Sequence, residues 1–183
     1  MEPMVETDSR PVVVYVEDDA DTFKIAALRL QSKYRLIWAQ SDREAIDLLA
    51  FHQRGLHAVL MDIELRGSAL DGLDLVRLLR GLPLRHSGEH AHQRLAEYAL
   101  KMPRLPNVPV IVLTAYTARY SEADAHAVGA THFATKPIDF TRLNLALAQA
   151  NIAAVMRRLE TVSGPSQPAA RPTPPSAEPR EKR

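Results

Sequence analysis

The sequence predicts an α/β domain with a five-stranded parallel sheet, doubly wound so that helices cover both faces. Two observations carry this. Five short apolar runs alternate with five stretches whose apolar residues recur at helical spacing. Such alternation is the pattern of a parallel sheet buried on both faces. Helix signals also fall between the runs: Ser41 and Glu44 form a capping-box pattern, and Gly129 stands where a left-handed cap would end a helix.

In order, VVVYV (Val12–Val16) precedes a helical segment from Asp21 to Gln31. RLIWA (Arg35–Ala39) precedes Ser41–Gln53, where Ala45, Ile46, Leu48 and Leu49 share a face. AVLM (Ala58–Met61) leads to Leu73–Leu82, and VPVIVL (Val108–Leu113) to Ser121–Val128. HFAT (His132–Thr135) feeds a long helix from near Asp139.

The 183 residues, 46% hydrophobic and 25% charged, suit one domain with an appendage. Residues 1–10 read as a flexible N-terminus and 11–162 as the domain. Residues 163–183 read as a disordered, proline-rich tail whose only apolar side chains, proline aside, are Ala169, Ala170 and Ala177. With 23 basic and 22 acidic side chains, the net charge of +1 argues against a dedicated nucleic-acid binder. The absence of cysteine excludes disulfides, thiolate metal sites and thiol nucleophiles. MEPMVETDSR carries no signal-peptide pattern, and the longest apolar run, from Pro109, is too short to span a bilayer. A cytoplasmic protein without membrane contact is expected.

Ligands of open parallel sheets bind beyond the carboxyl ends of the strands. There the sequence places Glu17-Asp18-Asp19, Asp62, Thr114 and Lys136, whereas the second strand ends in uncharged Ala39-Gln40. If the first and third strands are neighbours, Glu17, Asp18 and Asp62 crowd together. Two such charges ~4 Å apart repel by ~4 kcal/mol at an effective dielectric near 20. Protonation or a cation must relieve this, and hard oxygen donors suit Mg²⁺. Asp62 can then act as a nucleophile toward phosphorus, with Lys136 and the Thr114 hydroxyl facing the phosphoryl oxygens.

The acid pair after the first strand, the aspartate ending the third, Thr-Ala ending the fourth and Lys-Pro ending the fifth resemble bacterial response-regulator receiver domains, of the CheY-like, flavodoxin-like type. The resemblance spans roughly 11–159. It implies that Asp62 accepts phosphate from a sensor histidine kinase or phosphotransfer protein. It further implies that Asp18 binds Mg²⁺ directly and Glu17 through water, that the Glu64 backbone carbonyl completes the metal site, and that the Ala115 amide helps hold the phosphoryl group. Phe133 stands where receivers carry a rotating aromatic, so Thr114 and Phe133 form the expected switch, and a cis Lys136-Pro137 peptide is expected. Asp19, one place past the pair, is expected to cap a helix or stay solvated.

This chain also departs from that pattern. Thr114 follows Asp62 by 52 positions, where a helix, a strand and two loops need about thirty. ELRGSAL before Asp71-Gly72 is about two residues long and lacks the usual proline. The larger excess is an insert at about 83–107, in which Glu89–Lys101 has helical spacing; it reads equally as a partner or dimer surface and as a tolerated elaboration. His86, His90 and His92 within it have no thiol and no nearby acid besides Glu89, and read as solvated. Ile152, Val155, Met156 and Leu159 extend the last helix past the sheet, which allows packing on the insert or a homodimer. Glu64 and Tyr116, bulky residues flanking the path of an attacking water, predict slow self-dephosphorylation.

Two other functions compete. A haloacid-dehalogenase-type phosphatase shares the order Asp62-Ile63-Glu64, Thr114, Lys136, but it needs a metal-binding acid pair after the lysine, where this chain offers only Asp139. A phosphorylation-independent module with the same fold would be expected to lose an acid or the lysine, and all are present. The expectation is a stand-alone receiver, not an enzyme beyond its own phosphotransfer and slow dephosphorylation. It would signal to an unknown downstream protein through the last strand and its flanking helices.

Overall fold

The computed structural model describes residues 8–84, 92–115 and 118–162. Along the chain run β1 (Val12–Val16), α1 (Ala20–Leu30), β2 (Arg35–Ala39), α2 (Asp42–His52), β3 (Leu56–Asp62), α3 (Gly72–Arg80), α4 (His92–Lys101), β4 (Val110–Thr114), α5 (Glu122–Ala127), β5 (His132–Thr135) and α6 (Phe140–Val162). The strands form one parallel sheet in the order β2-β1-β3-β4-β5.

Strand alternation sorts the core into two layers. Val14, Val16, Val59, Met61, Val110 and Val112 face α2, α3 and α5, meeting Ile46, Leu49, Val76, Leu79 and Val128. Val13, Tyr15, Ala58, Leu60, Ile111 and Leu113 face α1 and α6, meeting Ala26, Leu30, Leu143 and Leu147. Both faces of β1, β3 and β4 are buried, which is why these runs are apolar at nearly every position.

The side chains of Asp19, Ser41, Asp71 and Ser121 each accept an amide at the start of α1, α2, α3 and α5. Asp19 is therefore a cap. The capping box expected at Ser41 is half formed: Ser41 Oγ accepts from Glu44 N, but the Glu44 carboxylate accepts from Gln40 N rather than from the cap. A complete box stands instead at Ser121 and Asp124. Gly129, at φ +91°, takes the expected left-handed conformation after α5.

Two strand boundaries differ from expectation. β3 starts at Leu56, two residues before Ala58, and Asp62 closes it as expected. β4 starts only at Val110, because Pro109 has no amide for the ladder and Val108 N turns back to Leu105 O at 3.4 Å. Glu89 lies outside the described residues, and the inserted helix is described over His92–Lys101. Its exit is tied down: Leu105 N donates to Leu79 O at 2.9 Å. The Arg80 guanidinium at the end of α3 donates to the carbonyls of Gly129, Leu105 and Val108. Met102 is buried, and Tyr98 packs on the core.

Ile152, Val155 and Met156 on α6 are exposed, as the apolar stripe past the sheet predicts. No described helix is long and apolar enough to cross a membrane. The proline-rich tail, most of the N-terminal segment, His86, His90, the side chain of His92 and Tyr116 lie outside the described residues.

Candidate acidic phosphoacceptor site

The chain leaves β1 for β2 on one side and then crosses to β3 on the other, so β1 and β3 lie side by side at the reversal of strand order. Their carboxyl ends bring Glu17 and Asp18 against Asp62, with oxygens of the three carboxylates within 4.8 Å of one another. The adjacency on which the sequence argument depends is present. Backbone bonds extend the ladders past the strand ends: Glu17 N donates to Ala39 O at 2.9 Å, and Lys136 N to Thr114 O at 2.7 Å. The second bond carries Lys136 across to the site, and the Lys136-Pro137 peptide is cis.

Lys136 Nζ lies 2.7 Å from Glu17 Oε2 and 2.6 Å from Asp62 Oδ2. The repulsion expected among the acids is thus offset first by the chain's own ammonium. Glu17 is 1% exposed, and its Oε2 also accepts from the Tyr15 hydroxyl at 2.8 Å. Burial pushes the Glu17 carboxyl above its usual range, against the Lys136 hydrogen bond, with the Asp62 charge adding to the rise. Burial likewise raises Asp62, which the Lys136 hydrogen bond only partly opposes. For Lys136, burial acts downward, but hydrogen bonds to Asp62 and Glu17 outweigh it and hold the ammonium above its ordinary value. Burial and the neighbouring Glu17 raise the Tyr15 phenol, so it serves as a donor.

Thr114 is fully buried at the end of β4. Register pairs Val112 with Phe133 and Thr114 with Thr135, so Thr114 and Phe133 lie on the same face, toward α5. Phe133 is half-buried and packs on that core layer. Ala115 is exposed beside Thr114. Glu64 lies two residues past Asp62, with its carboxylate 4.0 Å from Arg119 Nη1.

Four contacts were not foreseen. Tyr15 binds Glu17 from the same face of β1, a partnership that i, i+2 spacing in a strand could have signalled. Trp38 Nε1 donates to Glu17 O at 2.7 Å while its ring stacks on Phe23 at 4.7 Å. Asp42 Oδ2 accepts from Ala69 N and Leu70 N at 2.9 and 3.0 Å, pinning the loop after β3. Arg66 Nε meets Asp18 Oδ2 at 2.6 Å.

All three carboxylates supply hard oxygen donors in one cluster, without nitrogen or sulfur, and that donor set fits a small divalent cation.

No protein-family model matches the chain, and no curated protein matches it. Solved structures do. A signal receiver domain of an HD domain-containing protein from Pseudomonas fluorescens is 24% identical, with a TM-score of 0.61 over 82% of this chain and 93% of that one. A response regulator receiver domain protein from Clostridium thermocellum is 17% identical, with a TM-score of 0.59 over 81% and 97%. The chain has the receiver-domain fold. NtrX from Brucella abortus, 23% identical with a TM-score of 0.61, is matched over 83% of this chain but only 29% of its own length. The receiver fold therefore corresponds to one part of that larger protein.

Proposed function

We propose that this chain is a phosphorelay receiver: Asp62 takes a phosphoryl group from the phosphohistidine of a sensor kinase or phosphotransfer protein, and the modified domain changes its contact with a downstream protein. The observation that supports this best is Lys136 Nζ seated between Glu17 and Asp62 at 2.7 and 2.6 Å, in the same cluster as Asp18. A carboxylate oxygen of Asp62 forms the new P–O bond while the P–N bond to the donor imidazole breaks, and the imidazole leaves with a proton. Lys136 follows the negative charge from the Asp62 oxygen onto the phosphoryl oxygens, and the Thr114 hydroxyl and Ala115 amide donate to them. Asp18, Asp62, the Glu64 carbonyl and, through water, Glu17 would hold Mg²⁺, which when bound would supply positive charge at the phosphoryl oxygens.

The switch follows from the shared face of Thr114 and Phe133. A hydrogen bond to a charged phosphoryl group contributes ~1.5–3 kcal/mol, enough to shift a two-state population ten- to a hundredfold. Drawing Thr114 toward Asp62 vacates space beside Phe133 and so alters the surface of α5, β5 and α6, where a downstream protein or a second copy docks. The proposed setting is the cytoplasm, with neither nucleic acid nor membrane as partner. The chain acts on no substrate beyond its own phosphorylation and slow dephosphorylation.

The phosphatase reading is weaker. Its required acid pair would follow Lys136, but Asp139, the acid nearest after it, accepts from Thr141 N and Arg142 N at the start of α6. Incubation with acetyl phosphate and Mg²⁺ tests the proposal by intact mass. Wild type gains about 80 Da, one phosphoryl group, and Asp62→Ala does not. No gain in wild type, or a gain that survives Asp62→Ala, overturns it.

A further inference from the structure

The loop after β3 brings a second cation to the acids. Leu65 O accepts from Ser68 N at 3.2 Å, and Gly67 has φ +77°, so residues 65–68 form a tight turn with Arg66 at its second position. On one side the loop is fastened to α2: Asp42 N donates to Ser68 Oγ at 3.1 Å, and the Asp42 carboxylate accepts from Ala69 N and Leu70 N. On the other side Arg66 reaches the acid pair, with Nε 2.6 Å from Asp18 Oδ2 and Nη2 3.8 Å from Asp19 Oδ2. Asp18 is 12% exposed, while the Arg66 side chain is 79% exposed. Lys136 thus neutralises the inner side of the cluster, and Arg66 holds Asp18 from the solvent side.

We propose that Arg66 is a built-in competitor for the divalent cation: its guanidinium holds Oδ2 of Asp18, a carboxylate of the metal cluster, and metal binding there requires it to swing out. This rests on the metal-binding role of Asp18 proposed above. The anchored loop returns Arg66 to the same position, whereas the exposed side chain has open solvent to swing into. Metal affinity is thereby set lower than three clustered carboxylates would otherwise give.

The test is a Mn²⁺ titration in the absence of any phosphodonor, with the free aqua ion counted by electron paramagnetic resonance. Arg66→Ala binds about three- to tenfold more tightly than wild type, the range for removing one charged hydrogen bond that is partly screened by water. Arg66→Glu binds at least as tightly as Arg66→Ala, and Asp18→Asn abolishes the gain in either background. Equal or weaker binding by both Arg66 variants overturns the competitor role alone. Absence of Mn²⁺ binding in wild type and both variants overturns it together with the metal-site reading.

Discussion

Gly72 lies directly against the carbonyl of Asp62. A Cβ on Gly72 would stand 2.0 Å from Asp62 O and 3.0 Å from Ile63 Cα, and Gly72 N donates to Ile63 O at 2.8 Å. The start of α3 is packed onto the backbone of Asp62, where only a hydrogen side chain fits. Gly72→Ala must push one backbone off the other. It should cost at least ~2 kcal/mol in chemical denaturation and displace Asp62 enough to slow its phosphorylation. Wild-type stability for this variant would contradict the packing.

Asp62→Asn should stabilise the protein. Burial raises the carboxyls of Asp62 and Glu17 in the folded state. Above the ordinary carboxylate pKa the native state therefore holds more protons than the unfolded chain, so stability falls as pH rises through the interval up to the raised values. Removing the Asp62 charge should add ~1 kcal/mol at pH 7, a few degrees in Tm, and flatten the gain seen on acidification. A lower Tm for Asp62→Asn at pH 7 would contradict this.

Lys136→Ala should do the opposite. It leaves Glu17 and Asp62 buried together without their ammonium, and breaking such a cluster from one side costs ~3 kcal/mol or more. Adding Asp62→Asn should recover part of that loss. In a double-mutant cycle the coupling should exceed ~1 kcal/mol.

The loop after β3 depends on Asp42, whose carboxylate accepts two amides from a distance of 27 and 28 residues. Asp42→Ala should cost ~2–3 kcal/mol. It should also speed hydrogen exchange at Ala69 and Leu70, while the amides of β1 stay protected.

The fold was legible because its determinants are local and periodic: apolar runs such as VVVYV and helix starts at Ser41 and Ser121 need no knowledge of distant partners. The acids, Thr114 and Lys136 were legible for a related reason, since strand ends in a parallel sheet converge whatever lies between them. Arg66 and Asp42 were not. Their partners lie 48 and up to 28 residues away, and an arginine in a polar loop or an aspartate at a helix start carries no pattern that names its contact. The contact of Lys136 with both acids was not legible either: it bridges them because burial makes two unpaired carboxylates costlier than a lysine shared between them. The β4 start was misplaced for a covalent reason, the missing amide of Pro109.

The most direct test of the account is to locate the modified atom. After treatment with acetyl phosphate and Mg²⁺, borohydride reduction converts an acyl phosphate on aspartate to homoserine, which peptide mass mapping can place. The account predicts homoserine at position 62 and nowhere else, dependent on the divalent cation. Homoserine at another aspartate, or an unreduced Asp62 in a phosphorylated protein, would contradict it.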